Sequence, residues 1–265
     1  YATLASIVKY PFSSQLAGAH GKFGFFTSEA SSFEKIADEL GLIRLSAPGA
    51  PLRYARHPLV YLMEAADDIC YEIMDIEDSH KLKILSYEET RELLLGFLDT
   101  ETQAHILRRL EDEGVTDRNE QVVYMRACVV GALERACVNT FVENEAAILD
   151  GTFSGSLISH IEPELRDAYQ RCVALSRQKI YRSKPVLDVE LSGYKIMETL
   201  METLISAAIH PEKFHSQQLI CRFSSQYAIE SPDLETRIMA VLDYISGMTD
   251  IYALDIYQKI EGIAL

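Results

Sequence analysis

Apolar residues recur along most of the chain at three- and four-residue spacing, the signature of helices that bury one face. Phe33, Ile36, Ala37 and Leu40 follow the capping-box pattern Ser31-Ser32-Phe33-Glu34 and precede Gly41, which predicts a short amphipathic helix. Pro58 stands at a first helical position, and a helix is expected from there to about Ser79. A second capping box, Ser86-Tyr87-Glu88-Glu89, opens a helix through Leu93, Leu94 and Leu98; Thr100 begins another that passes Ile106 and Leu110 on the way to Gly114. Residues 119–150 keep the spacing through Val122, Met125, Val129, Leu133 and Phe141, and read as one long helix ending at Gly151. Two more are expected over 162–181 and 186–209, and Ser231-Pro232 starts a last one running to Gly262. Residues 42–56, with Pro48, Gly49 and Pro51, read as a loop. No stretch alternates as a strand would and nothing repeats. The pattern predicts an all-α fold, a single helical unit over 1–265 with short connections.

Composition narrows what such a bundle does. The chain has 265 residues, 40 acidic against 25 basic, for a net charge of −15. That field opposes polyanions, so neither nucleic acid nor an anionic membrane is an expected partner, and an anionic ligand has to be held by a few placed cations. The five cysteines, Cys70, Cys128, Cys137, Cys172 and Cys221, are odd in number and never in a C-x-x-C pair, which argues against a disulfide framework or a zinc knuckle and makes the cytoplasm the expected compartment. There is no span-length apolar run and no signal-peptide pattern. The chain begins at Tyr1 rather than at a methionine, and reads as a fragment or a processed chain.

The most informative stretch is Glu64 to Asp78. At roughly 100° per residue, Asp67, Asp78, Tyr71, Glu64 and Asp75 fall within about 80° of one another, while Leu62, Ala66, Ile69, Cys70, Ile73 and Ile76 take the opposite arc. Periodicity alone reads this stripe as the solvated face of an amphipathic helix. The chemical reading is a divalent-metal or metal–phosphate site: carboxylates four and eight residues apart repel one another without a cation, and hard cations take oxygen ligands. Asp67-Asp68-x-x-Tyr71-x-x-x-Asp75 is similar to the aspartate-rich motif of isoprenoid synthases, but Tyr71 stands where that motif wants Asp, Ser or Thr, and no second motif is present. A di-iron carboxylate bundle needs two E-x-x-H pairs, and only Glu77 to His80 has that spacing. Gly18, Gly21 and Gly24 around Lys22 would let backbone approach an anion, or mark a mobile loop.

The same stretch and its flanks resemble the bacterial deoxyguanosinetriphosphate triphosphohydrolases of the HD-domain superfamily. The pieces run in order: Tyr1-Ala2-Thr3-Leu4-Ala5-Ser6 with Lys9-Tyr10-Pro11; Lys22-Phe23-Gly24-Phe25-Phe26; Arg56-His57-Pro58-Leu59 through Glu64-Ala65-Ala66-Asp67-Asp68-Ile69 and Tyr71; then Ser246-Gly247-Met248-Thr249-Asp250 with Tyr252-Ala253. The resemblance implies an HD-domain-type helical bundle, here its C-terminal portion, from an enzyme that hydrolyses dGTP or other dNTPs to a deoxynucleoside and triphosphate with a divalent metal such as Mg or Mn. It implies that Asp67 is a metal ligand, that Tyr71 contacts phosphate and that Asp75 binds the sugar 3′-hydroxyl. Lys9 and Lys22 fall on the phosphate side, and Tyr181 and Lys184 lie where relatives place further phosphate contacts. The family's other metal ligands are a histidine and a His-Asp pair. None of His20, His57, His80, His105, His160, His210 and His215 is followed by Asp, so that half of the metal site is absent, and the chain alone is expected to be inactive and to bind no metal tightly. His57, in a Pro-flanked turn, is expected to cap or to face solvent rather than replace a ligand. A homo-oligomer is expected from the apolar area that an absent half would leave bare. The competing reading is a non-catalytic oligomerisation or regulatory module with its acidic stripe solvated.

Overall fold

The structure, a computed structural model, describes residues 2–263. Tyr1, the first residue of the resemblance, lies outside the described residues, as do Ala264 and Leu265. Among the described residues twelve α-helices follow in order: α1 (Ala2–Ala5), α2 (Ala30–Leu40), α3 (Pro58–Lys81), α4 (Tyr87–Leu95), α5 (Thr100–Asp112), α6 (Arg118–Glu143), α7 (Glu145–Leu149), α8 (Pro163–Leu175), α9 (Lys184–Ile209), α10 (Phe214–Ile220), α11 (Leu234–Ser246) and α12 (Asp250–Ile260). A π-helical turn, Ser176–Ile180, extends α8. Among the described residues the only extended pairings are isolated bridges, Phe12 with Arg53, Ser13 with Phe25 and Arg44 with Tyr54, so the fold is all-α as the periodicity predicts. No described helix is long and apolar enough to cross a membrane.

The chain divides into two compact units, Tyr1–Tyr181 and Arg182–Leu265, where the periodicity reads one. In the first, α3 lies along α6. Ile69, Ile73 and Ile76 of α3 meet Val122, Met125, Val129 and Leu133 of α6, closed over by Leu94, Ile106, Ala168 and Cys172. A small aromatic cluster, Phe25, Phe33, Ala37 and Tyr54, holds the segment before α3 together. In the second unit α9 packs on α10, α11 and α12 around Leu200, Leu204, Ala208, Val241 and Ile256.

Several boundaries differ from the sequence expectation, each for a local reason. The 31–34 capping box is not used. The Glu29 carboxylate instead accepts the Phe26 N–H (2.8 Å) across a short 3₁₀ turn, and α2 starts at Ala30. The helix expected to reach Leu98 stops at Leu95, although its Ser86–Glu89 capping box forms. The long 119–150 helix breaks at Asn144, whose side-chain amide donates to the Thr140 carbonyl (2.8 Å) beside its own N–H and turns the backbone out of helical geometry. The last helix starts later than Ser231-Pro232, because Asp233 accepts both the N–H and the hydroxyl of Thr236. It then splits at Gly247, and Thr249 caps α12. Pro185 is the second residue of α9 rather than the residue before it, and α10 is unanticipated.

Candidate functional site

α3 carries the acidic run and is the helix on which the site depends. Pro58 stands at its first position, and His57 Nδ1 accepts the Leu59 N–H (3.2 Å), so His57 caps the helix. Burial holds its imidazole pKa below the usual histidine range, which keeps the ring neutral and able to accept. The helix is continuous through Asp67, Tyr71 and Asp75.

The stripe divides where the angular arithmetic made it uniform. Asp67 and Asp78 are exposed, Tyr71 is 62% exposed and Asp75 is half-buried, but Glu64 is buried at 6%. Its two oxygens are taken by Lys9 (3.1 Å) and Arg56 (2.9 Å), and Arg56 also reaches the Gly155 carbonyl and lies over the Tyr61 ring. Conversely Leu62, Ala66 and Cys70, expected on the buried arc, line an open apolar groove of about 350 Å³ with Val130, Cys137 and Val138. Helices packed against α3 from several directions cover part of the expected polar arc. A carboxylate so covered is tolerated because each one has partners.

Asp67 makes no hydrogen bond or ion pair among the described residues. Burial raises the pKa of its neighbour Asp68 against the opposing charge of Lys9. Burial also works against the charge on Lys9, yet the Glu64 hydrogen bond and charge prevail and hold its pKa above the ordinary lysine value. Asp75 Oδ2 accepts the Tyr181 hydroxyl (2.7 Å). Burial raises the Asp75 pKa, and that hydrogen bond opposes the rise. The structure thus brings Tyr181 to Asp75, and Lys9 to Glu64 beside Asp68. Lys22 lies with its ammonium over the Tyr10 ring, 5.4 Å from the centroid. Lys184 opens α9 in the second unit. Gly24 serves internal packing: a Cβ there would stand 2.2 Å from the Tyr10 carbonyl oxygen.

Glu72 and Ser176 escaped the sequence reading. Glu72 is 4% exposed and accepts the Ser176 hydroxyl at 2.7 Å. Its signal was available: at about 140° from Asp67 it sits among the apolar positions of the helix, where a carboxylate needs a partner. Burial pushes the thiol pKa values of Cys137 and Cys172 up to about 11 and about 12, so neither supplies a thiolate nucleophile. Among the described residues no group of three His, Cys, Asp or Glu side chains could hold a metal ion. The residues present therefore do not make up a complete divalent-metal centre, and Asp67 stands alone of the ligand set that the resemblance implies.

Residues 160–259 match the family model described as the phosphohydrolase-associated domain. The chain is 34% identical over 272 residues to a deoxyguanosinetriphosphate triphosphohydrolase-like protein of Pseudomonas aeruginosa, an alignment covering 99% of this chain and 60% of that one. A protein of the same name from Synechocystis is 29% identical, covering 100% of this chain and 60% of its own length. The deoxyguanosinetriphosphate triphosphohydrolase of Serratia proteamaculans is 27% identical, covering 98% and 59%. The chain spans about 60% of the length of these curated relatives.

Proposed function

We propose, from a resemblance to the deoxyguanosinetriphosphate triphosphohydrolase family that runs along nearly the whole chain, that the complete protein hydrolyses dGTP or other dNTPs to a deoxynucleoside and inorganic triphosphate. In this reading Asp67 is one ligand of a divalent metal such as Mg or Mn, Tyr71 contacts the phosphates and Asp75 binds the sugar 3′-hydroxyl. Lys9 and Lys22 are the proposed phosphate-side cations of the first unit, Lys184 is a further candidate phosphate contact, and Tyr181 works with Asp75. The 265-residue chain alone supplies one of the metal's ligands and is inactive.

One observation carries the reading. On a single unbroken helix Asp67 and Tyr71 keep their polar groups free toward solvent, while Asp75, one turn further, is half-buried with one oxygen already engaged. A purely solvated stripe would not need a tyrosine hydroxyl to hold its third carboxylate. The cytoplasm is the proposed compartment, and a homo-oligomer belongs to the same proposal. Val189, Leu191 and Tyr194 on α9 are 73%, 68% and 71% exposed, more apolar surface than one helix usually leaves bare.

The test is product analysis. The complete protein incubated with dGTP is expected to release deoxyguanosine and intact triphosphate, resolved by anion-exchange chromatography. Release of orthophosphate or pyrophosphate instead would refute the reading.

Single substitutions separate the roles. In the complete protein Tyr71→Phe is expected to cost about 1.5–3 kcal/mol of transition-state stabilisation, a fall in kcat/KM of roughly 10- to 150-fold, the scale of one hydrogen bond to a charged group. Asp75→Asn keeps an acceptor but loses the charge, and is expected to raise KM more than it lowers kcat. Steady-state kinetics on both variants checks this, and a Tyr71→Phe enzyme with unchanged kcat/KM removes Tyr71 from the site.

A further inference from the structure

Ser176 and Tyr181 are the residue that opens the π turn and the one that closes it: the Tyr181 N–H donates to the Ser176 carbonyl at 2.9 Å, an i+5 to i bond. In an α-helix residues five apart point about 140° away from each other. The wider π turn brings the two ends back onto one face. On that face the Ser176 hydroxyl donates to Glu72 and the Tyr181 hydroxyl to Asp75, both at 2.7 Å. Glu72 and Asp75 are themselves three residues apart on α3, neighbours on its surface. Two residues one turn apart on α3 thus match two residues that only a π turn can align.

We propose that Glu72 and Ser176 are positioning residues that fix the register of this π turn, so that the Tyr181 hydroxyl stays on Asp75 and leaves the other Asp75 oxygen to accept a substrate hydroxyl. The last clause rests on the reading of Asp75 as a sugar-binding carboxylate; the rest does not. Three features favour a registering role over plain core filling. Ser176 is fully buried and Glu72 nearly so, an expensive place for a carboxylate that does no more than fill space. Asp75 Oδ2 is occupied, while Oδ1 has no partner among the described residues. Lys179, inside the turn, pairs with Glu89 of α4, so the turn's outer side is anchored independently and its inner register is left to Glu72. If the turn relaxed to α geometry, Tyr181 would swing by about 100° and lose Asp75.

The test uses the 265-residue chain without nucleotide, so it is independent of the product analysis above. Tyr181 amide exchange and the Asp75 carboxyl titration are followed by NMR, with Tyr181→Phe as the reference for a lost Tyr181–Asp75 bond. Ser176→Ala and Glu72→Met are expected to speed Tyr181 amide exchange by on the order of tenfold or more. Ser176→Ala is also expected to move the Asp75 titration upward, as Tyr181→Phe does, because the hydrogen bond that opposes burial is gone; Glu72→Met is read by amide exchange alone, because it also removes a negative charge that bears on Asp75. Glu72→Gln retains an acceptor for Ser176 and is expected to keep parent-like Tyr181 amide exchange, the readout on which it is judged because it too removes a charge beside Asp75. The helix-capping Asp99 should titrate unchanged throughout, which a general loosening would not allow. Should either single variant fail to fold, the Glu72→Met/Ser176→Ala double variant replaces both partners with apolar groups, and it is expected to fold with Tyr181 released. Parent-like exchange and Asp75 titration in Ser176→Ala, or parent-like exchange in a folded double variant, overturn the proposal. So does a Glu72→Gln chain that behaves like Glu72→Met.

Discussion

Asp67→Ala in the complete protein is expected to reduce triphosphate release by at least about a thousandfold while leaving thermal stability within about 0.5 kcal/mol of the parent. The two halves of that statement have different origins. Stability is spared because the Asp67 carboxylate is exposed and holds nothing else in place among the described residues. Activity is lost because the proposed reaction needs that carboxylate's charge, and alanine offers neither charge nor an oxygen. The comparison to make is dGTP turnover against a melting curve on the same preparation. An Asp67→Ala enzyme with a tenth or more of parental activity would remove Asp67 from the centre. The 265-residue chain supplies a second arm: calorimetry with Mn²⁺ is expected to find no micromolar site. A micromolar site that vanished in Asp67→Ala would point to a self-contained centre with Asp68, Asp75 and Asp78.

The largest stability effect is expected at Arg126, which takes no part in the proposed chemistry. Glu77 of α3 is buried at 6%, and its partners are Lys81 (2.6 Å) on its own helix and Arg126 Nε on α6. Arg126→Met leaves that carboxylate covered by protein with one cation on an exposed stem, and breaking such a pair costs about 3 kcal/mol, the low end of the usual range because Lys81 remains. For a unit of this size the melting temperature should fall by about 6–12 °C. The Glu77→Met/Arg126→Met double variant is expected to recover most of the loss, since no charge is left buried and methionine adapts to the space. Thermal melts of the single and double variants at neutral pH close the cycle. A fall of less than about 2 °C for Arg126→Met would mean that Glu77 reaches solvent readily.

How much of this was legible in the sequence follows from which forces are local. α3 could be read because Pro58, the apolar spacing of Ile69, Ile73 and Ile76, and the continuity of its helix formers all act within a few residues of one another. The Ser86–Glu89 box and the αL turn at Gly41 are local in the same sense. Asp67, Tyr71 and Asp75 could be placed on one helix by counting, and so they stand. What counting could not supply was the fate of charges whose partners lie far off in sequence. The angle of Glu64 matches that of Asp67 and puts it on the solvated stripe, and nothing local signals that Lys9 and Arg56 arrive to cover it. The Asn144 break depends on one side chain competing with the helix for a carbonyl, a contest that apolar spacing does not register. The π turn is invisible to a 3.6-residue period by construction, and its consequence, Tyr181 on Asp75, was missed with it.

The long reach of the Glu72–Ser176 bond also sets a clock on biosynthesis. The partners are 104 residues apart. At ordinary translation speeds of about 5–20 residues per second, α3 waits roughly 5–20 s on the ribosome before the hydroxyl that satisfies its buried carboxylate has been made. During that interval the apolar side of α3 cannot close over Glu72 without stranding a charge, so the nascent helix stays open along the face that later meets α8. Glu64, whose cations precede it in the chain, meets no such delay. The charge of Glu64 can therefore be neutralised as soon as α3 is made, whereas that of Glu72 stays in water until the turn after α8 emerges.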